Sequence, residues 1–284
     1  MKSIYTIAVM LGFAFLAGAQ NLTLPTDATA GQSVSIQTRG SGSATLYLFG
    51  PGTALKRKVE LGQPVQIEGD QLNQAGRYTV VIEGGENAKG SFFVAPAKLE
   101  NVAFLARPSR VPAAHKNVIT GSAYLFDRYN NLMIEQYPVK FDLTVAGAPT
   151  ATRTEGSRGG VAWVKMDSGK RAGSAQFTAS ANETAVQRVV QETASDPCTI
   201  RMKAQAAKNG NILVETDPIR DCAGNPVPDG TIVTFTATDK NGRSTVDARI
   251  KRGVAQAELP AEQNATLSVA AGVVLGNEIH WGGK

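Results

Sequence analysis

The feature that most constrains this chain is that it can be laid over itself. Asp127 is followed by Asn131 and then Phe141, and Asp221 is followed at identical spacings by Asn225 and then Phe235. Each copy runs on into a Gly-Val-Ala step, Gly160-Val161-Ala162 and Gly253-Val254-Ala255, and then into an alternating strand. The repeat unit is a little over ninety residues. That is the size of a whole two-sheet sandwich, and far too long for the turn of a solenoid. Two tandem domains of one kind therefore account for the later two thirds of the sequence.

What fills the repeat is short and alternating. Ser33-Val34-Ser35-Ile36, Ala44-Thr45-Leu46-Tyr47-Leu48-Phe49, Tyr78-Thr79-Val80-Val81-Ile82 and Ser91-Phe92-Phe93-Val94 are rich in β-branched and aromatic residues and are bounded by Gly, Pro or Asn. Beyond the first segment no apolar stripe of helical period survives three turns without Gly or Pro. The chain is expected to be all-β. Asp-x-x-x-Asn between two strands reads as a turn device, because both side chains fold back onto nearby amides; Pro226, Pro228, Asp229 and Gly230 reinforce it in the second copy. After the turn, alternation puts Val233 and Phe235 on the inward face, with Val139, Phe141 and Leu143 at the matching positions of the first copy.

Residues 20–95 do not align with the repeat. They carry Leu72 followed by Ala75-Gly76-Arg77-Tyr78, which resembles the tyrosine corner that ties a strand to the upstream backbone in immunoglobulin-like domains. Tyr78 is thus expected in a core. Proline and small polar residues break the strand pattern at Ala95-Pro96-Ala97 and between residues 193 and 197. The expected organisation is immunoglobulin-like sandwiches over residues 20–95, 98–193 and 197–284, joined by short linkers that favour a semi-rigid rod.

The start of the chain reads as an export signal. Lys2 is followed by a nearly unbroken apolar run from residue 4 to 16 and by the small-residue site Ala17-Gly18-Ala19, so residues 1–19 are expected to be removed after Ala19. The run is shorter than the roughly 20 residues that span a bilayer, and nothing later resembles a spanning helix. The product is expected to be secreted or periplasmic.

The segment Asp221-Cys222-Ala223-Gly224-Asn225-Pro226-Val227-Pro228-Asp229-Gly230, with Val233-Thr234-Phe235 and Gly253-Val254-Ala255, resembles the core motif of bacterial immunoglobulin-like domains of the invasin and intimin type. The preceding copy is similar through Asp127, Asn130, Asn131, Val139, Phe141 and Gly160-Val161-Ala162. The resemblance implies extracellular stalk or spacer modules. It leads us to expect a non-enzymatic spacer or interaction protein at the bacterial envelope or outside the cell, with an unidentified protein or glycan partner. The alternative is an adhesin-like or carbohydrate-binding protein that uses its end loops; less favoured is a hydrolase accessory role.

Candidate chemistry is sparse. Cys198 and Cys222 are the only cysteines; in a sandwich they lie at the same end, and export favours a disulfide over two free thiols. His115 and His280, the only histidines, fall in different domains with no metal-ligand spacing around them. No nucleophile-elbow, zinc-protease or phosphate-loop pattern occurs, so no catalytic residue, metal or cofactor is assigned. One Asp and one Asn per copy supply too few oxygens for calcium. A net charge of +5 is spread over small clusters such as Lys56-Arg57-Lys58, without the interleaved aromatics of a nucleic-acid groove. Of the two tryptophans, Trp163 is expected to face the core, and Trp281, beside His280 near the C-terminus, is the residue that would contact a carbohydrate.

Overall fold

The computed structural model describes residues 22–282, apart from 86, 146, 209 and 261–263; the expected export signal at residues 1–19 lies outside the described residues. Among the described residues every long element is a strand, and the one helix is a single 3-10 turn, Gly69–Leu72. The described residues build three hydrophobic cores. They group into two compact units: residues 22–98 with the turn Asp127–Asn131, and Leu99–Phe126 with the chain from Leu132 onward.

In the first unit, a three-stranded sheet (Leu22–Thr23, Val34–Thr38, Pro64–Ile67) faces a five-stranded one (Ala28–Thr29, Ala88–Ala95, Gly76–Glu83, Ser43–Gly50, Thr53–Glu60). Strand Ser43–Gly50 shows why: Ala44, Leu46 and Leu48 are buried, and the residues between them are not. Tyr78 has no exposed surface, and its hydroxyl donates to the Gln74 carbonyl at 2.9 Å. Its ring lies so close to the backbone at Gly50 that a Cβ there would fall 2.2 Å from it. The corner therefore needs a glycine on the neighbouring strand.

The second unit holds the two repeated sandwiches. The first of them pairs the sheet Arg110–Pro112, Thr184–Thr193, Gly173–Ala181, Pro138–Val145, Ala151–Gly156 with the sheet Val161–Met166, Ile119–Asp127, Leu99–Arg107. Val139 and Phe141 are fully buried, and Phe104, Phe141 and Phe177 pack with ring centroids 5.0 to 6.2 Å apart. The other packs Gly242–Arg249, Ile232–Asp239, Ala265–Ala271, Val274–Trp281 over Met202–Ala206, Ile212–Thr216, Gln256–Leu259, with Val233 and Phe235 fully buried. Gly230 takes a positive φ of 92°, and its N–H donates to the Ile250 carbonyl at 2.8 Å, turning the chain into the Ile232 strand.

One inward assignment is overturned. Trp163 does not face the core: it is 61% exposed, and the buried face of Val161–Met166 is Ala162, Val164 and Met166. Period-two alternation says which residues share a face, and over residues 161–164 alone it does not say which face is the inner one. The other face holds three apolar residues in succession, whereas Trp163 shares its own with Lys165. A lysine two residues on would have had to enter the core with it, at a cost no buried indole offsets.

Candidate functional site

Two constructions stand out, both built on the repeat. The first is the Asp-x-x-x-Asn turn. In the second unit, Asp221 Oδ1 accepts from the backbone N–H groups of Ala223 and Asn225 at 2.9 and 2.8 Å. Its Oδ2 accepts from Asn225 Nδ2 at 2.9 Å and from the Ser195 N–H at 3.1 Å. Asn225 Nδ2 also donates to the Lys170 carbonyl at 2.8 Å, and its Oδ1 accepts from the Ala172 N–H at 2.9 Å. Lys170 and Ala172 belong to the preceding sandwich and Ser195 to the linker. The turn thus grips both.

The first unit contains the same set. Asp127 accepts from the N–H groups of Tyr129, Asn131 and Ala97 and from Asn131 Nδ2, all at 2.8 Å. Asn131 Nδ2 donates to the Asn73 carbonyl at 2.9 Å, and Oδ1 accepts from the Ala75 N–H at 2.8 Å. Burial pushes the Asp127 and Asp221 carboxyls up, but the hydrogen bonds from the Asn side chains and surrounding amides outweigh it and hold both pKa values below the usual carboxylate range. Four donors occupy the Asp127 carboxylate, and five that of Asp221, where the Ser195 hydroxyl also donates to Oδ2 at 3.4 Å, so neither carboxylate is left open to a cation. The turn itself was legible from sequence; its grip on Asn73, Ala75, Lys170 and Ala172 was not, because those partners are backbone groups. The only hint is the Ala-Gly pair, Ala75-Gly76 and Ala172-Gly173, entering a strand in each case.

The same end of the last sandwich holds the disulfide. Cys198 and Cys222 are bonded, with Cα atoms 4.6 Å apart, tying strand Pro197–Thr199 to the turn that carries Asp221. Trp281 ends the edge strand Val274–Trp281 and is half-buried against the third core.

The second construction is a cleft. Ala151–Gly156 is the outer strand of one sheet and Val161–Met166 the outer strand of the facing one, and the tight turn Arg158 to Val161 carries the chain across. Between them opens a hollow of about 700 Å³, lined by Gln136, Arg153, Glu155, Arg158, Trp163 and Lys165 with Val161 and Val164 beneath. The displaced Trp163 stands here. Three cations face one carboxylate, and among the described residues none of the three is held in an ion pair.

No family model and no curated protein sequence matches this chain. Solved structures do. The Escherichia coli adhesin FdeC superposes with a TM-score of 0.63 at 17% identity, covering 93% of this chain and 96% of that one. InvD of Yersinia pseudotuberculosis gives 0.50 at 13% identity over 93% of this chain and 97% of its own. Invasin, a bacterial integrin-binding protein, gives 0.50 at 12% identity, with 92% of this chain matched to 60% of that one. The chain therefore has the tandem immunoglobulin-like fold of these bacterial proteins over most of its length. Among the described residues no helix is long and apolar enough to cross a membrane.

Proposed function

We propose that this is an exported, non-enzymatic bacterial surface protein whose sandwiches, at residues 20–95, 98–193 and 197–284 after cleavage near Ala19, act as spacer modules presenting an interaction surface to a protein or glycan at the envelope or outside the cell. One observation carries the reading: the Asp and Asn side chains of the repeated turn are spent on holding neighbouring backbone, not on chemistry. In both copies the Asp carboxylate and the Asn amide are saturated by backbone groups of the turn, the linker and a neighbouring loop. Saturated polar networks of this kind fix geometry and leave nothing to donate to a substrate. The fold shared with FdeC and invasin supports the same reading, since the first is described as an adhesin and the second as an integrin-binding protein.

Expression of the full chain in a Gram-negative host, with fractionation and N-terminal sequencing, tests it. The expected product begins at Gln20 and is recovered from the envelope or the medium. An intact Met1 product confined to the cytosol would overturn the proposal, as would turnover of any substrate by the purified protein in a hydrolase screen.

A further inference from the structure

We propose that the cleft between Ala151–Gly156 and Val161–Met166 binds an acidic saccharide, with a sugar ring stacked on Trp163 and its carboxylate taken by Arg153, Arg158 and Lys165. This goes beyond the spacer role and stands or falls separately, because it concerns binding by the purified chain in whatever compartment it works.

The hollow by itself is no argument, and the repeat shows why. The last sandwich has the same cleft, made the same way: Gly242–Arg249 and Gln256–Leu259 lie in different sheets, and the tight turn Lys251 to Val254 crosses between them. Its volume is about 610 Å³ against about 700 Å³. The fold makes the space in both; the lining distinguishes them. Where one places Val161 and Trp163, the other places Val254 and Gln256, and it sets the carboxylates of Glu215 and Asp247 among its cations. The scaffold thus tolerates a polar, non-aromatic residue where the first cleft exposes an indole. A tryptophan left 61% in solvent gains little folding energy from its position.

The chemistry around the indole selects the ligand. A flat aromatic face suits the apolar C–H face of a sugar ring. Arg153 and Arg158 present planar donor forks that match a carboxylate, and Lys165, on the same strand face as Trp163, adds a third charge. Gln136 and Glu155 supply an amide and an acceptor suited to hydroxyls. A peptide occupant would need apolar pockets for alternate side chains, and besides Trp163 the cleft offers only Val161 and Val164. The excess of cations over Glu155 disfavours a neutral or cationic sugar.

The chain's two tryptophans allow a direct readout. With Trp281→Phe in the full mature chain, Trp163 is the only fluorophore of its kind. Titration with tetragalacturonate and with a hyaluronan tetrasaccharide is expected to change its emission for at least one of them, with affinity falling as salt is raised. For the saccharide that binds, methyl esterification of the carboxylates and the Arg153→Ala change are each expected to weaken binding about tenfold. By calorimetry, Trp163→Ala costs about tenfold or more and Gln256→Ala nothing. Circular dichroism checks that the variants fold, which the exposure of Trp163 leads us to expect. Binding of neither saccharide overturns the proposal, and so does equal binding of the methyl ester, equal binding by folded Trp163→Ala, or tighter binding of tetraglutamate than of either sugar.

Discussion

Replacing Asn225 by alanine removes three hydrogen bonds at once: two from Nδ2, to the Lys170 carbonyl and to Asp221 Oδ2, and one accepted by Oδ1 from the Ala172 N–H. Lys170 and Ala172 are exposed, so their freed backbone groups turn to water; each loss then costs about 0.5 kcal/mol, the low end for a neutral bond. Asp221 is 3% exposed and keeps its charge while losing a donor, which costs about 2 kcal/mol. The sum is about 3 kcal/mol, or roughly 150-fold in the opening equilibrium of the last sandwich. Native-state hydrogen exchange reads this directly. The buried amides of Val233 and Phe235 are expected to lose about 100-fold of protection, while those of Tyr78 and Val80, in a different core, keep theirs. A loss below about threefold at Val233 and Phe235 would refute the accounting. Asn225→Asp sharpens the test, because it sets a second carboxylate against Asp221 where a donor stood. At neutral pH it is expected to be worse than alanine and to recover on acidification; were it milder, the donor role given to Nδ2 would be wrong.

Other consequences are independent of that clamp. Asp127 and Asp221 have folded pKa values below their unfolded ones, so their contribution to stability is present above the unfolded carboxylate pKa and is lost as pH falls through the folded values. Glu192 has the opposite sign: it is fully buried, neither carboxylate oxygen completes a hydrogen bond among the described residues, and burial pushes its pKa up, with the Gly169 backbone drawing weakly the other way. Its folded state holds a proton that the unfolded state has released, so stability falls as pH rises through that window. Thermal melts across pH are expected to peak in mild acid, and Glu192→Gln should raise the neutral-pH midpoint and flatten the fall from mild acid toward neutral, leaving the acid-side loss in place. Changing both Cys198 and Cys222 to serine opens a loop of sequence separation 24 and is expected to cost about 3 kcal/mol on urea unfolding. Tyr78→Phe removes the hydroxyl bond to Gln74 and should cost the first sandwich about 1 kcal/mol, leaving the exchange of Phe235 unchanged.

The strand content, the repeat and the inward faces of Val139, Phe141, Val233 and Phe235 were readable because they rest on short-range regularities: period two, Gly and Pro punctuation, and fixed spacing. The burial of Tyr78 was readable because its motif is local. The face of Trp163 could not be chosen from the alternation of residues 161–164 alone, since the decisive residues are Lys165 beside it and Met166 on the opposite face. The reach of Asn131 and Asn225 beyond their own turns was hidden for a different reason: their partners are main-chain groups of Asn73, Ala75, Lys170 and Ala172, which any side chain could accompany. The cleft was invisible for a third reason, since it arises from two consecutive strands entering different sheets, a tertiary choice with no composition of its own.

The saturation of the Asp carboxylates carries one further prediction. Acidic turns at the joints of tandem sandwiches invite a calcium ion, which needs six to eight oxygens around it. Asp221 is ringed instead by N–H groups, from Ala223, Asn225 and Ser195 and from the Asn225 amide, whose positive ends all point at the carboxylate. A cation entering there would have to displace at least one of these donors and would meet the others head-on. Adding millimolar calcium, or removing divalent ions with a chelator, is therefore expected to leave both the melting temperature and the exchange of the Ser195 and Ala172 amides unchanged. A calcium-dependent rise in melting temperature that disappears in Asp221→Asn would show that the carboxylate is a ligand, and that the amides around it only stand in for a missing ion.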